Sequence, residues 1–310
     1  MIFVIIFILL LLLLTGFCYA IYRWVFHSPR KGQNDEHRLM HSQQMQGHRE
    51  EILEKIDYLR DMSYEPVRIQ SYDGLSLRGR YYQGENLAPL VIGFHGYRGS
   101  PAREFCGGGK LYLDKGFHLL LVEQRAHGRS QGHTICYGIK ERQDVLSWVR
   151  YGEKRLGPDT SILLAGVSMG AATVIMAEAL QLPPAVKGII ADCPYSNQKA
   201  LFKAVMREMK LPADLLYPLL RLSARVFGGF DPEAASAEEA AAGAKVPILL
   251  IHGEEDKLVP CEMSRRIAAA NPERISLHTF PGADHAMSFI IDEKRYVRLL
   301  NDFLKQTGLA

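Results

Sequence analysis

The sequence predicts an α/β fold in which a mostly parallel sheet is covered by helices on both faces. Short, continuous apolar runs at residues 90–94, 118–122, 162–165, 188–191, 248–251 and 275–280 read as strands buried on both sides. Between them, residues 141–156, 171–180, 262–270 and 292–305 read as helices. Such alternation implies parallel pairing through helical crossovers. An opening hairpin at 67–71 and 75–82, turned at Asp73-Gly74, adds antiparallel strands in front. In open sheets of this kind, chemistry collects beyond the C-terminal ends of the strands.

The chain begins with a different texture. Residues 1–22 carry no charged side chain. At about 1.5 Å of rise per residue they reach about 33 Å, enough for a hydrocarbon core of about 30 Å. Tyr19, Tyr22 and Trp24 follow as interfacial aromatics, and Arg23, Arg30 and Lys31 lie on the same C-terminal side. We read residues 1–26 as an uncleaved single-pass anchor. The rival reading is a cleaved signal peptide: Cys18-Tyr19-Ala20 is a weak small-residue site, but no basic segment precedes the apolar core. The basic flank places the rest of the chain in the cytoplasm by the positive-inside tendency. Cys106, Cys136, Cys193 and Cys261 are scattered without C-x-x-C spacing, which fits a reducing compartment and supplies no metal cluster. A formal charge of +3, with no basic cluster interleaved with aromatics, argues against nucleic acid as a partner.

Residues 27–63 form a polar juxtamembrane stretch. Ile52, Leu53, Ile56 and Leu59 mark one narrow helical face within it. Its charges are mixed, so this helix is expected to pack on the domain at 64–310 rather than lie on lipid.

The chemistry centres on Gly166-Val167-Ser168-Met169-Gly170, which follows a short buried strand and precedes a small-residue helix. Strand, G-x-S-x-G and helix together describe a sharp turn that exposes a nucleophilic serine. Three strand ends surround it in the chain: His95 to Ser100, a glycine loop able to turn backbone N–H groups toward the serine; His252 to Pro260, with Glu254, Glu255 and Asp256; and Pro281 to Ala286, with Asp284 and His285. The order is serine, carboxylate, histidine. His95, His127 and His252 sit in glycine turns and read as backbone braces, which leaves His285 as the base. For the acid, Asp256, Asp192, Glu254 and Glu255 are all open on the residues alone. Cys106-Gly107-Gly108-Gly109-Lys110 lacks phosphate-loop spacing and reads as a helix interrupted by glycines.

The region from Val67 to Leu304 resembles the alpha/beta-hydrolase superfamily, in its serine aminopeptidase-like and monoacylglycerol-lipase-like branch. The resemblance rests on His95-Gly96, Arg125-Ala126-His127-Gly128-Arg129-Ser130, Gly166 to Gly170, Gly253 to Pro260 with its G-x-x-D-x-x-V-P form, and Gly282 to His285. It implies an alpha/beta-hydrolase fold with Ser168, Asp256 and His285 as a catalytic triad. It also implies the amides of Tyr97 and Met169 as oxyanion donors. Relatives carry D-x-R-G-H-G-x-S after the fourth strand, whereas here Glu123 replaces the acid and Ala126 the first glycine.

Residues 196–245 are an insertion ahead of the strand that carries Asp256. Phe202, Val205, Met206 and Met209 form one apolar helical stripe, and Leu215, Leu219, Leu222 and Val226 another. Residues 232–243 read as a surface helix. The resemblance makes the two stripes a lid; the alternative is that they complete the core. As a lid they would wall an acyl pocket, with the adaptable Met206 and Met209 contacting short to medium chains. The expected activity is hydrolysis of small-molecule carboxylic esters through an acyl-enzyme, without metal or organic cofactor. A serine peptidase acting on small peptides or amides, and a non-catalytic hydrolase-fold binding module, are the alternatives.

Overall fold

The computed structural model describes residues 1–28, 36–39 and 42–310. Arg30 and Lys31 of the basic flank lie outside the described residues, as does part of the juxtamembrane stretch. Eight strands form one sheet: β1 (Glu65–Gln70), β2 (Ser76–Tyr82), β3 (Leu90–Phe94), β4 (His118–Glu123), β5 (Ile162–Val167), β6 (Val186–Asp192), β7 (Ile248–Gly253) and β8 (Ile275–Phe280). Their spatial order is β1-β2-β4-β3-β5-β6-β7-β8. β2 runs antiparallel to both of its neighbours and every other pairing is parallel.

The longer helices are α1 (Ile2–Ile21), α2 (Arg49–Asp61), α3 (Glu141–Leu156), α4 (Met169–Ala177), α5 (Gln198–Glu208), α6 (Ala213–Ser223), α7 (Glu262–Ala270) and α8 (Glu293–Gln306). Because side chains alternate along a strand, the central strands feed two cores. Leu90, Ile92 and Phe94 join one with Trp148 of α3, Val174 of α4 and Ile267 of α7. Val91, Leu119 and Leu121 join the other with Ile56 and Leu59 of α2 and Phe303 of α8. The narrow stripe of α2 is therefore spent inside the fold, as its mixed charges suggested.

Residues 1–17 of α1 are exposed along their whole length, and burial starts at Cys18. From there the chain is fastened to the sheet-bearing body. The Ser223 hydroxyl donates to the Cys18 carbonyl at 2.7 Å, and the Tyr22 and Thr134 hydroxyls lie 2.8 Å apart. Phe26 is fully buried, with its ring edge-on to those of Tyr137, Phe202 and Phe230 at 5.9, 5.8 and 5.4 Å.

Two local expectations change. Only Ala237–Ala242 of the expected surface helix is helical, and Ala237, Ala240 and Ala241 are buried, because small side chains let it pack close to the body. The stripe on α6 does not face inward as a unit. Leu215, Leu222 and Val226 are 70%, 40% and 62% exposed, while Leu220 is buried.

Candidate active site

β5 ends at Val167 and α4 starts at Met169, so the backbone of Ser168 makes the whole reversal, at φ 54° and ψ −115°. A positive φ on a residue with a Cβ costs on the order of 1–3 kcal/mol and persists only where its surroundings enforce it. Here the Ser168 N–H donates to the Asp192 carbonyl at 2.8 Å, and the Ser168 carbonyl accepts from the Ala172 N–H at 3.0 Å. The flanking glycines are sterically required. A Cβ on Gly166 would lie 2.5 Å from the Gly170 carbonyl oxygen, and one on Gly170 would collide with the carbonyl of Phe94.

His285, in the loop past β8, brings Nε2 to 2.9 Å from Ser168 Oγ and Nδ1 to 2.6 Å from Asp256 Oδ2. Asp256 follows β7, and its Oδ1 accepts from the backbone N–H groups of Leu258 and Val259 at 2.9 and 2.7 Å. Of the four carboxylates left open by the sequence, Asp256 is thus the one bonded to His285. Asp192 ends β6 without such a bond, and its burial pushes it up to about 6. Glu254 instead accepts from the Thr279 hydroxyl at 2.6 Å, and Glu255 is exposed.

The electrostatics of the pair follow from its burial and contacts. Desolvation alone would raise the Asp256 carboxyl, but the His285 imidazole and hydrogen bonds from His252 and His285 outweigh it and hold Asp256 well below the usual carboxylate range. Desolvation alone would lower His285; the charge of Asp256 and the bond to it outweigh that and raise the imidazole above its ordinary value. His252 contributes more than a backbone brace. Its Nε2 donates to the Val259 carbonyl at 2.8 Å and lies 3.2 Å from Asp256 Oδ2, so it helps fix the acid loop.

The loop after β3 passes directly over the serine: a Cβ on Gly96 would sit 3.3 Å from Ser168 Cβ. Two histidines set its course. His95 Nδ1 donates to the Gly96 carbonyl at 2.8 Å while its Nε2 accepts from the Gln124 N–H at 3.1 Å. His127 Nε2 accepts from the Arg98 N–H at 3.0 Å. Tyr97 and Met169 both border the space above Ser168.

That space is a cavity of about 630 Å³. Phe202, Val205, Met206 and Met209 of the first stripe all line it. So do Phe17, Ala20, Ile21 and Trp24, which no reading of the insertion anticipated. A signal for them was present, because these four fall at i, i+3, i+4 and i+7, one face of a helix. In a stretch that is apolar on every side, that face does not stand out. The turn just past α1 is held against the site by polar bonds: the Tyr97 hydroxyl donates to the Val25 carbonyl at 2.8 Å and Arg98 donates to that of Trp24 at 2.7 Å.

Cys193 is a further site residue that the sequence did not flag. Its Sγ lies 3.9 Å from His285 Nε2. With Asp256 and His285 it forms a set whose ligand-type atoms lie within 4.8 Å of one another. The donor chemistry does not suit a cation: both imidazole nitrogens are already engaged by Asp256 and Ser168, and burial raises the Cys193 thiol well above its ordinary value, keeping it protonated.

Comparison with known proteins bears on the fold. The family described as alpha/beta hydrolase fold matches residues 89–227, and the family described as serine aminopeptidase, S33, matches residues 207–290. The chain belongs to the alpha/beta-hydrolase superfamily. It is 27% identical to YqkD of Bacillus subtilis over 63% of this chain and 64% of that one, and 29% identical to the thiohydrolase aneE of Aspergillus aculeatus over 56% and 54%. The chain thus spans less than two thirds of the length of either relative. In three dimensions it is similar to the Pyrococcus furiosus esterase Pf2001, with a TM-score of 0.66 at 24% identity, over 81% of this chain and 93% of that one.

As an alpha/beta hydrolase, the chain departs from the superfamily pattern after β4 in a way the structure accommodates. Ala126 adopts φ 63° where relatives carry glycine. Glu123 accepts from the Arg129 N–H at 2.5 Å, and the buried Arg125 pairs with Asp144 at 2.7 Å and Asp73 at 2.9 Å. These bonds brace the loop around His127 without touching Ser168.

Proposed function

We propose that this alpha/beta hydrolase is a membrane-anchored serine hydrolase that cleaves carboxylic esters through an acyl-enzyme. The observation that carries the reading is the hydrogen-bonded series Ser168, His285, Asp256 opening into an apolar cavity. Ser168 Oγ attacks the acyl carbonyl while His285 Nε2 takes its proton. Asp256 keeps the imidazole in the tautomer that presents a lone pair to Ser168 and stabilises the imidazolium once formed. The backbone N–H groups of Tyr97 and Met169 stabilise the tetrahedral oxyanion, each donor typically worth about 3–4 kcal/mol. The imidazolium then protonates the leaving alcohol, and water, deprotonated by His285, releases the acid.

Peptide hydrolysis is the second reading, favoured by the serine aminopeptidase match at 207–290. An aminopeptidase needs an acid for the free amine of its substrate, and none of the described residues lining the cavity is acidic. Ester hydrolysis therefore leads. The name of the relative aneE adds thioesters as candidates. The test is a panel of p-nitrophenyl esters, acyl thioesters and aminoacyl-nitroanilides offered to the full chain. Esters or thioesters should be preferred by at least tenfold in kcat/KM; a preference for the nitroanilides would overturn the reading.

We read α1 as a retained anchor, with the catalytic region in the cytoplasm and α5 and α6 as a lid. Retention is supported by the use the fold makes of α1: cleavage after Ala20 would remove Phe17 and Ala20 from the cavity wall and the Cys18 carbonyl from Ser223. An alkaline phosphatase fusion at the C-terminus should be inactive. Activity of that fusion, or release of a chain lacking residues 1–20, would reject this topology.

A further inference from the structure

α1 is apolar and exposed from Ile2 to Phe17, and the same helix continues along the body to Ile21. Phe17 already lines the cavity, and at Cys18 α1 is fastened to α6 through the Ser223 hydroxyl. A bilayer that covers α1 to Ile21 must also cover the part of the body beside it.

The surface of α6 is suited to that position. Leu215 and Val226 are largely exposed and Leu222 partly so, on α6 and the turn after it, and none of them lines the cavity. Large apolar side chains grouped on one helix mark a contact surface. The cavity reaches the same level. Its wall along α1 and the turn after it runs from Phe17 to Trp24, about 10 Å along the helix axis. Trp24 is 60% exposed at one end of that wall, where an interfacial aromatic belongs.

We infer that the body is partly submerged, with Leu215, Leu222 and Val226 against lipid, and that the cavity loads from the bilayer, its substrate an acyl ester dissolved in the membrane. This rests on the ester-hydrolase and anchor readings above. α1 is then both the anchor and a wall of the acyl site, and the acyl chain passes from lipid to Ser168 without crossing water.

The test uses full-length protein in proteoliposomes and two fluorogenic esters, 4-methylumbelliferyl oleate held in the bilayer and 4-methylumbelliferyl butyrate in the aqueous phase. Leu215→Glu/Val226→Glu should lose at least tenfold of its rate on the oleate ester and keep the butyrate rate within twofold. Leu215→Gln/Val226→Gln should lose a few-fold on oleate alone. Equal rates for wild type and the Glu variant on oleate, with both active on butyrate, would overturn the inference while leaving the hydrolase reading intact. So would parallel losses on both esters in the two variants. A wild type inactive on both esters would overturn the hydrolase reading and this inference with it.

Discussion

Around Ser168 the molecule is held by polar bonds with defined partners, whereas the cavity beyond it is walled by apolar side chains from three separate helices. Ser168, His285 and Asp256 sit on loops at the ends of β5, β8 and β7, and each is fixed by at least two hydrogen bonds. Phe17, Ala20, Ile21 and Trp24, then Phe202, Val205, Met206 and Met209, and Leu216 with Leu220 come from α1, α5 and α6 and the turns that directly follow the first two, and they meet the cavity through nonpolar side chains. The first region depends on directed bonds between a few atoms, so single changes should be drastic and coupled. The second depends on apolar area, which is additive and tolerant, so single changes should be graded. On the proposed function, the contrast separates the residues assigned to reactivity from those assigned to substrate choice.

The largest effects are expected in the first region. Ser168→Ala and His285→Ala should each lower kcat by a similar factor, on the order of 10⁶, and the double variant should fall little further because the residues act as a unit. Steady-state kinetics of the three variants check this, and multiplicative losses would break the contrast between a coupled site and a tolerant wall. Asp256→Asn should cost less, about 10⁴-fold in kcat, because the asparagine keeps the position but favours the wrong imidazole tautomer.

Acidity sharpens the same region. His285 acts as a base only when neutral, and Asp256 raises its proton affinity above the ordinary value. A raised value leaves more imidazolium at any given pH, so the acid limb of kcat/KM should have its midpoint above about 6.5. In Asp256→Asn that support is gone, and the limb of the residual activity should move to lower pH. A limb that stays in place would separate His285 from Asp256.

Smaller effects belong to the wall. Each methylene buried in the cavity should gain up to about 0.8 kcal/mol, or about fourfold in kcat/KM, until the space is full. Met206→Ala and Ile21→Ala should both move the chain-length optimum of a p-nitrophenyl ester series toward longer chains without lowering the rate on acetate. If only Met206→Ala does so, α1 is an anchor alone and the wall is made by the insertion.

The same contrast explains what could be read in advance. Ser168 was legible because a sharp strand-to-helix turn demands small residues at 166 and 170: a Cβ on Gly166 would meet Gly170 four residues on, a local constraint, while one on Gly170 would meet Phe94 of β3. The strands were legible because burial on both faces leaves continuous apolar runs, and their ends carried His285 and the acidic loop. The choice of Asp256 over Asp192, Glu254 and Glu255 was not settled by the residues alone, since it depends on which strand end faces the imidazole. The α1 wall was hidden for a physical reason: lipid and an acyl cavity both ask for apolar side chains, so Phe17, Ala20, Ile21 and Trp24 satisfy either. Cys193 was obscured likewise, since its position 3.9 Å from His285 arises from the packing of β6 beside β7.

The central claim is that Ser168 is an activated nucleophile facing that cavity. Full-length protein should be exposed to an alkyl fluorophosphonate and digested, and the modified peptide located by mass spectrometry. The account predicts stoichiometric modification at Ser168 in the wild type, none in Ser168→Ala, and strongly slowed labelling in His285→Ala. Modification at another serine, or labelling that persists in Ser168→Ala, would contradict it.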